Sequence, residues 1–283
     1  MFGYTRQAYY KHKKDRLERH KQLLQVRELV MRVRGKMPRV GTRKLYFLIK
    51  EELVRLNIKI GRDVLFKFLR AEHLLIKSKR TYHKTTDSKH WMRKYPNRIR
   101  ELQLIRPEQL WVSDITYIKT VNGHHYLSLI TDAYSKKIMG YELLDNLSVA
   151  GPLGALSMAL RNRKYNDQLI HHSDRGLQYC SAEYIKKLVE NNIEISMTEN
   201  GDPYENAVAE RVNGILKHEF FLVEQFKDHL QALEVIKQSI EVYNQNRPHM
   251  SCHLLTPNAV HLQTQLVLKK WKKKVPKLVA SGL

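Results

Sequence analysis

The chain has 283 residues, 42% of them hydrophobic, enough to bury a full core and still carry a second, smaller module. Its 50 Lys and Arg against 28 Asp and Glu leave a net charge of +22, so a polyanionic partner is expected, with nucleic acid favoured over a ribosomal or membrane surface. No run of about 18 apolar residues offers a bilayer span, residues 1–14 are polar and basic, and two isolated cysteines suit neither a disulfide framework nor a zinc module. A cytoplasmic protein that meets no membrane is expected.

The basicity is regional. Residues 1–109 hold 30 basic and 10 acidic side chains, whereas residues 110–268 hold 14 and 18. Over residues 15–33, Leu17, Leu24, Leu29, Val30 and Val33 recur among Lys and Arg, which predicts a basic amphipathic helix with no evident partner. After a turn containing Pro38, Thr42 is the expected N-cap of a helix over 43–56, with Leu45, Leu48, Ile49, Leu53 and Leu56 on one face. A short break then leads to a second helix over 62–73, with Val64, Leu65, Phe68 and Leu69 inward and Arg62, Lys67 and Arg70 outward. Such a pair is a helix-turn-helix or an ordinary helical hairpin. The charge favours the former, with residues 62–70 in the major groove and the surrounding cations on phosphates. Residues 77–108 are basic, with Pro96, Pro107, Tyr82, Trp91 and Tyr95 and little periodicity, and read as a linker that lies on DNA.

From Leu110 the pattern changes to strands. Segments 110–120, 124–132 and 136–144 are separated by turns and predict an antiparallel meander. Ser148 is the expected cap of a helix to about 160, followed by a strand at 168–173, a helix at 182–191, a strand at 193–197 and helices at 204–221 and 227–246.

Three carboxylates stand out. Asp114 sits inside the first strand, where a charge among Trp111, Val112, Ile115 and Tyr117 is costly unless paired or metal-bound. Asp174 ends the fourth strand, at the kind of strand terminus where open sheets place ligands. Glu210 lies on a helix whose polar face also carries Asn206, Asn213 and Lys217. Three oxygen-donor side chains suit a pair of Mg2+ or Mn2+ ions, which would serve an in-line displacement at phosphorus. Taken singly, a strand Asp is more often a turn or edge residue, and a helix Glu is usually just solvated.

The segments Trp111-x-x-Asp114-Ile115-Thr116, His172-Ser173-Asp174-Arg175-Gly176-x-Gln178-Tyr179 and Gly201-x-Pro203-Tyr204-x-Asn206-Ala207-x-Ala209-Glu210 resemble the three catalytic motifs of DDE transposases. The second Asp and the Glu are separated by 35 residues, a spacing shared with retroviral integrases. Leu216-Lys217-x-Glu219, Tyr243-Asn244-x-x-Arg247-Pro248-His249 and Thr256-Pro257 extend the likeness, over about residues 40 to 262, to the OrfB-type product of bacterial insertion sequences in the family numbered three.

That resemblance implies an α/β fold: an RNase H-like core with an N-terminal all-α helix-turn-helix region. The expected division is a basic helical segment (1–37), the helix-turn-helix (38–77), a linker (78–108), the core (109–266) and a basic tail (267–283). It implies that Asp114, Asp174 and Glu210 hold two metal ions, that Lys217 contacts DNA, and that water cleaves a donor strand whose 3′-hydroxyl then joins target DNA. It further implies a homo-multimer on DNA in the nucleoid, and an upstream OrfA product as partner. Arg175, His171 and His172 flank Asp174, where the histidines touch the scissile phosphate or only orient the carboxylate; His172 and Arg175 are taken as candidate DNA contacts. Asp132 is read as a turn residue, His124 and His125 as solvated, and Glu199-Asn200 as a local departure from the family pattern. The rival readings are a non-catalytic DNA-binding remnant and an RNase H-like nuclease.

Overall fold

The computed structural model describes residues 5–76, 92–199 and 206–263. The chain opens with α1 (Arg6–Lys36), which starts well before the apolar periodicity because Thr5 caps it, its hydroxyl accepting from Ala8 N at 3.2 Å. Only Val26, Leu29 and Val30 of this helix are buried. Leu17 and Leu24, read as part of the apolar face of a helix with no evident partner, are exposed.

In α2 (Thr42–Arg55), Leu45, Ile49 and Leu53 recur every fourth residue and are buried, and in α3 (Arg62–Ala71) Leu65 and Leu69 do the same. Thr42 is not the cap: Gly41 holds that position in extended backbone, and Thr42 is buried in the first turn. Leu56, expected on the apolar face of its helix, and Val64, expected inward, are exposed; Leu56 is the C-cap of α2 and Val64 lies in the first turn of α3. Both helices end on a left-handed residue, Asn57 and His73, with the next amide bonding five residues back, Ile58 N to Leu53 O and Leu74 N to Leu69 O. The outward face of α3 carries Arg62, Lys67 and Arg70, all exposed.

Five strands follow: β1 (Leu110–Thr120), β2 (Gly123–Asp132), β3 (Ile138–Leu144), β4 (Leu169–Ser173) and β5 (Ile193–Met197). Their order is β3-β2-β1-β4-β5, with the meander β1 to β3 antiparallel and β4 and β5 running parallel to β1. The helices α4 (Ala150–Arg161) and α5 (Ala182–Glu190) make the crossovers between the parallel strands. Ser148 does not cap α4, which begins after Val149 with no side-chain cap. Gly140 on β3 is required there: a Cβ would run into the Ala155 carbonyl and lie 2.7 Å from Ala159 N, so α4 approaches the sheet by backbone.

The chain closes with α6 (Ala207–Glu219), α7 (His229–Asn246) and α8 (Pro257–His261). Residues 204 and 205, expected to open α6, lie outside the described residues, as do Tyr82, Trp91 and the lysine-rich tail. Trp111, Ile130, Leu156, Tyr184 and Ile195 fill one side of the sheet. On the other, a single apolar cluster runs from Val26 through Leu45 and Leu65 to Ile118, Ile215, Phe220 and Ile240, so the N-terminal helices are packed onto the α6 side of the core. Among the described residues no helix is long and apolar enough to cross a membrane.

Candidate active site

Asp114 projects from the middle of β1 toward α6, on the strand face that also bears Val112 and Thr116. Its carboxylate is held at both oxygens: Ile115 N donates to Oδ1 at 2.9 Å and Asn213 Nδ2 to Oδ2 at 2.7 Å. Seven residues earlier on the chain, Asn206 donates from Nδ2 to Ser113 O at 3.0 Å, so two asparagines pin α6 across this strand.

The parallel register pairs Val112 with His172, and two residues beyond that pair lie Asp114 and Asp174. Adjacent strands stand about 4.8 Å apart, so the two carboxylates leave the sheet side by side. Asp174 follows the last residue of β4, and Gly176 N donates to its Oδ1 at 3.0 Å, which fixes the carboxylate at the strand end. Two like charges in one partly desolvated notch oppose each other. Burial, then Asp174 and, least of all, Glu210 push the Asp114 carboxyl up to about 7, while the bonds from Asn213 and Ile115 pull it down.

Glu210 occupies the first turn of α6 and is exposed at the rim of this notch. The structure thus brings Asp114 and Asp174 together with Glu210 near enough to act on Asp114. Among the described residues no three His, Cys, Asp or Glu side chains close into a metal-holding group. Lys217, two turns further along α6, is half-buried; desolvation and Lys119 lower its pKa while Asp114 raises it, which places its ammonium within electrostatic reach of the notch. Arg175 is half-buried beside Asp174.

The histidines depart from expectation. His172 is fully buried, with Nδ1 2.8 Å from Ser196 Oγ, so it ties β4 to β5 and offers no ring to a phosphate. His171 is buried on the opposite face, where Ser113 Oγ and Tyr184 OH stand 2.7 and 2.9 Å from its Nε2. Burial first, and His172 second, push its pKa down to about 3, so the ring is neutral. His125, expected to be solvated, is buried under α7 with its ring 5.1 Å from that of His229, whereas His124 is exposed.

Asp132 is a buried turn residue at the far end of β2, accepting from Glu108 N at 2.7 Å and from Ser135 N and Oγ at 2.6 Å. Its neighbour His261 reaches Ser135 Oγ at 3.0 Å and Glu108 Oε1 at 3.1 Å, a polar lock between α8 and the sheet.

A second set of contacts escapes sequence reasoning altogether. Glu219, at the end of α6, accepts from Arg247 Nε and Nη2, each at 2.8 Å, and from Lys44 Nζ of α2 at 2.9 Å. The amide of Arg39 also donates to the Glu219 carbonyl at 3.1 Å. The helix that carries Glu210 at one end therefore carries the docking point of the N-terminal helices at the other.

Two family models, each described as an integrase core domain, match residues 105–203 and 191–257. A protein of Shigella sonnei named "Insertion element IS600 uncharacterized 31 kDa protein" is 33% identical over 264 residues, covering 92% of this chain and 95% of that protein. "Transposase InsF for insertion sequence IS3A" of Escherichia coli strain K12 is 36% identical over 152 residues, 53% of each chain. Among solved structures, a chain of the simian T-cell lymphotropic virus intasome in complex with the PP2A regulatory subunit B56 gamma aligns with a TM-score of 0.50 at 17% identity. That alignment covers 83% of this chain and 76% of the viral one and shows a shared fold.

Proposed function

The chain belongs to the insertion-sequence transposases of the family numbered three, which are built on a DDE integrase core, and from that premise we propose that Asp114, Asp174 and Glu210 form its catalytic site. The reaction is cleavage of a phosphodiester at the element end by water, leaving a 3′-hydroxyl and a 5′-phosphate. That 3′-hydroxyl then attacks a target phosphodiester, forming one bond as the target strand's bond to its own 3′-oxygen breaks.

The observation that carries this reading is the pair Asp114 and Asp174 at neighbouring parallel strands, each carboxylate held by its own hydrogen bonds, where burial first and the neighbouring Asp174 second raise the pKa of Asp114. Oxygen donors with unrelieved negative charge fit a hard divalent cation. When bound, two such ions, Mg2+ or Mn2+, would activate the attacking oxygen and steady the leaving one. Asn213 orients Asp114 for that duty, Gly176 N orients Asp174, and the first turn of α6 carries Glu210 at the rim of the notch. Lys217 and Arg175 stand beside the carboxylates as anchors for the phosphate backbone, and Arg62, Lys67 and Arg70 read duplex DNA from α3.

In the same reading, residues 38–77 form the DNA-binding unit, 78–108 the linker and 109–266 the core. The protein works as a multimer on DNA in the bacterial cytoplasm, with an upstream OrfA product as partner. The test is a strand-cleavage and strand-transfer assay on element ends with Mg2+ or Mn2+. Glu210→Gln is expected to bind DNA normally and neither cut nor join; equal activity of that variant and wild type would refute the assignment.

A further inference from the structure

Residues 6–25 of α1 have no role in the site described above. None of them is buried, and at about 1.5 Å per residue they form a rod roughly 30 Å long that extends beyond the packed part of the helix. The rod carries seven Lys and Arg against two carboxylates. Among the described residues, Lys11, Lys13, Lys14, Arg16 and Lys21 are exposed and form no ion pair. Stacked like charges weaken an isolated helix, so a polyanion is the partner that would stabilise it.

Its outward face has a defined pattern. Tyr10, Leu17, Leu24 and Met31 recur every seven residues, each 48–56% exposed, on the side opposite Val26, Leu29 and Val30. A coiled-coil partner would need apolar residues three positions further on, where Lys13, His20 and Arg27 stand instead. A second copy of this helix would meet cations with cations. Lys13 flanks the stripe on one side, and Lys14 and Lys21 on the other.

We propose that residues 6–25 of α1 lie along the phosphate backbone of duplex DNA flanking the bases met by α3, with Lys13, Lys14 and Lys21 on phosphates and Tyr10, Leu17 and Leu24 against sugars. The rod matches about one turn of duplex, roughly 34 Å. The proposal rests on the protein being a DNA transposase but assigns a surface outside its catalytic notch.

The test compares the full-length wild type with Lys13→Gln/Lys14→Gln/Lys21→Gln by fluorescence anisotropy on a mixed-sequence duplex of about 40 base pairs. Each lost phosphate contact lowers the slope of log affinity against log salt by about 0.9. Between about 50 and 200 mM salt, wild-type affinity should therefore fall about 40-fold more than that of the variant. Should the triple variant not fold, Lys13→Gln alone should lower the slope by about 0.9. Identical slopes overturn the proposal, as does a loss of self-association in Leu17→Gln/Leu24→Gln with the slope intact. Failure of the catalytic reading would show differently, as absence of metal-dependent cutting with the slope difference preserved.

Discussion

Replacing Glu219 by Gln tests the junction between the N-terminal helices and the core. The carboxylate sits at the C-terminal end of α6, where the helix dipole disfavours a negative charge, so its partners must account for its presence. Those partners are Arg247, with only 2% of its side chain exposed, and Lys44, with 12%. Gln keeps one acceptor oxygen but removes the charge, leaving a buried guanidinium and a nearly buried ammonium facing each other. Stranding a buried charge costs about 3–5 kcal/mol, and at about 2–4 °C per kcal/mol for a chain of this size the melting temperature should drop by roughly 10 °C. Thermal unfolding followed by circular dichroism reads this directly. A companion variant, Lys44→Met/Glu219→Leu/Arg247→Met, removes all three charges and should recover much of the loss, because packed apolar groups replace a buried ion-pair cluster at little cost. A Glu219→Gln melt within about 2 °C of wild type would refute the idea that this cluster holds the junction.

Three further outcomes are expected. Asn213→Ala removes the bond to Asp114 Oδ2; titration of Mn2+ followed by electron paramagnetic resonance should show affinity lowered about 10-fold or more, as for other residues that orient metal ligands, and unchanged affinity would count against that role. Lys44 is pushed down from 10.5 to about 8, by burial first and Arg247 second. Between those values the unfolded chain holds a proton that the folded chain lacks, so stability should rise with pH across that window, by an amount on the order of 3 kcal/mol, and Lys44→Met should flatten this part of the denaturant-derived curve. Gly140→Val drives a side chain into the α4 backbone; it should destabilise by about 1–3 kcal/mol or more, visible as a lowered urea midpoint, and a neutral result would mean that α4 can move away.

How much of this was legible in the sequence depends on the range of the interaction. The strands of the meander lie close to their expected bounds because alternation and turn residues act locally, and α2 and α3 follow from Leu45, Ile49, Leu53, Leu65 and Leu69 at helical spacing. Asp114, Asp174 and Glu210 were legible as an ordered set of motifs, and Asn213 was visible on the polar face of Glu210's helix, though not as the residue that grips Asp114. Errors arose where tertiary contact decides. His125 looks like a solvated group after a turn and His172 like a DNA contact beside Asp174, yet the one is buried against His229 of α7 and the other is buried and bonded to Ser196 of β5. Thr42 and Ser148 are good capping residues passed over because the N-cap of each helix falls one residue away, at Gly41 and at Val149. The Glu219, Arg247 and Lys44 cluster joins residues 175 positions apart in sequence, and no local pattern announces it.

The rigidity of α6 sets a distance. Glu210, in the first turn, and Glu219, the last residue and the anchor for Lys44, are nine residues apart, which along a helix is about 14 Å. The helices that would read DNA are seated at the far end of this bar by packed apolar side chains and an ion-pair cluster. On the proposed reading the protein behaves as a caliper: the offset between the bases recognised and the phosphodiester cut is a dimension of the folded solid. Element ends with a few base pairs added between those two points would still be gripped, but would present the wrong bond to the notch.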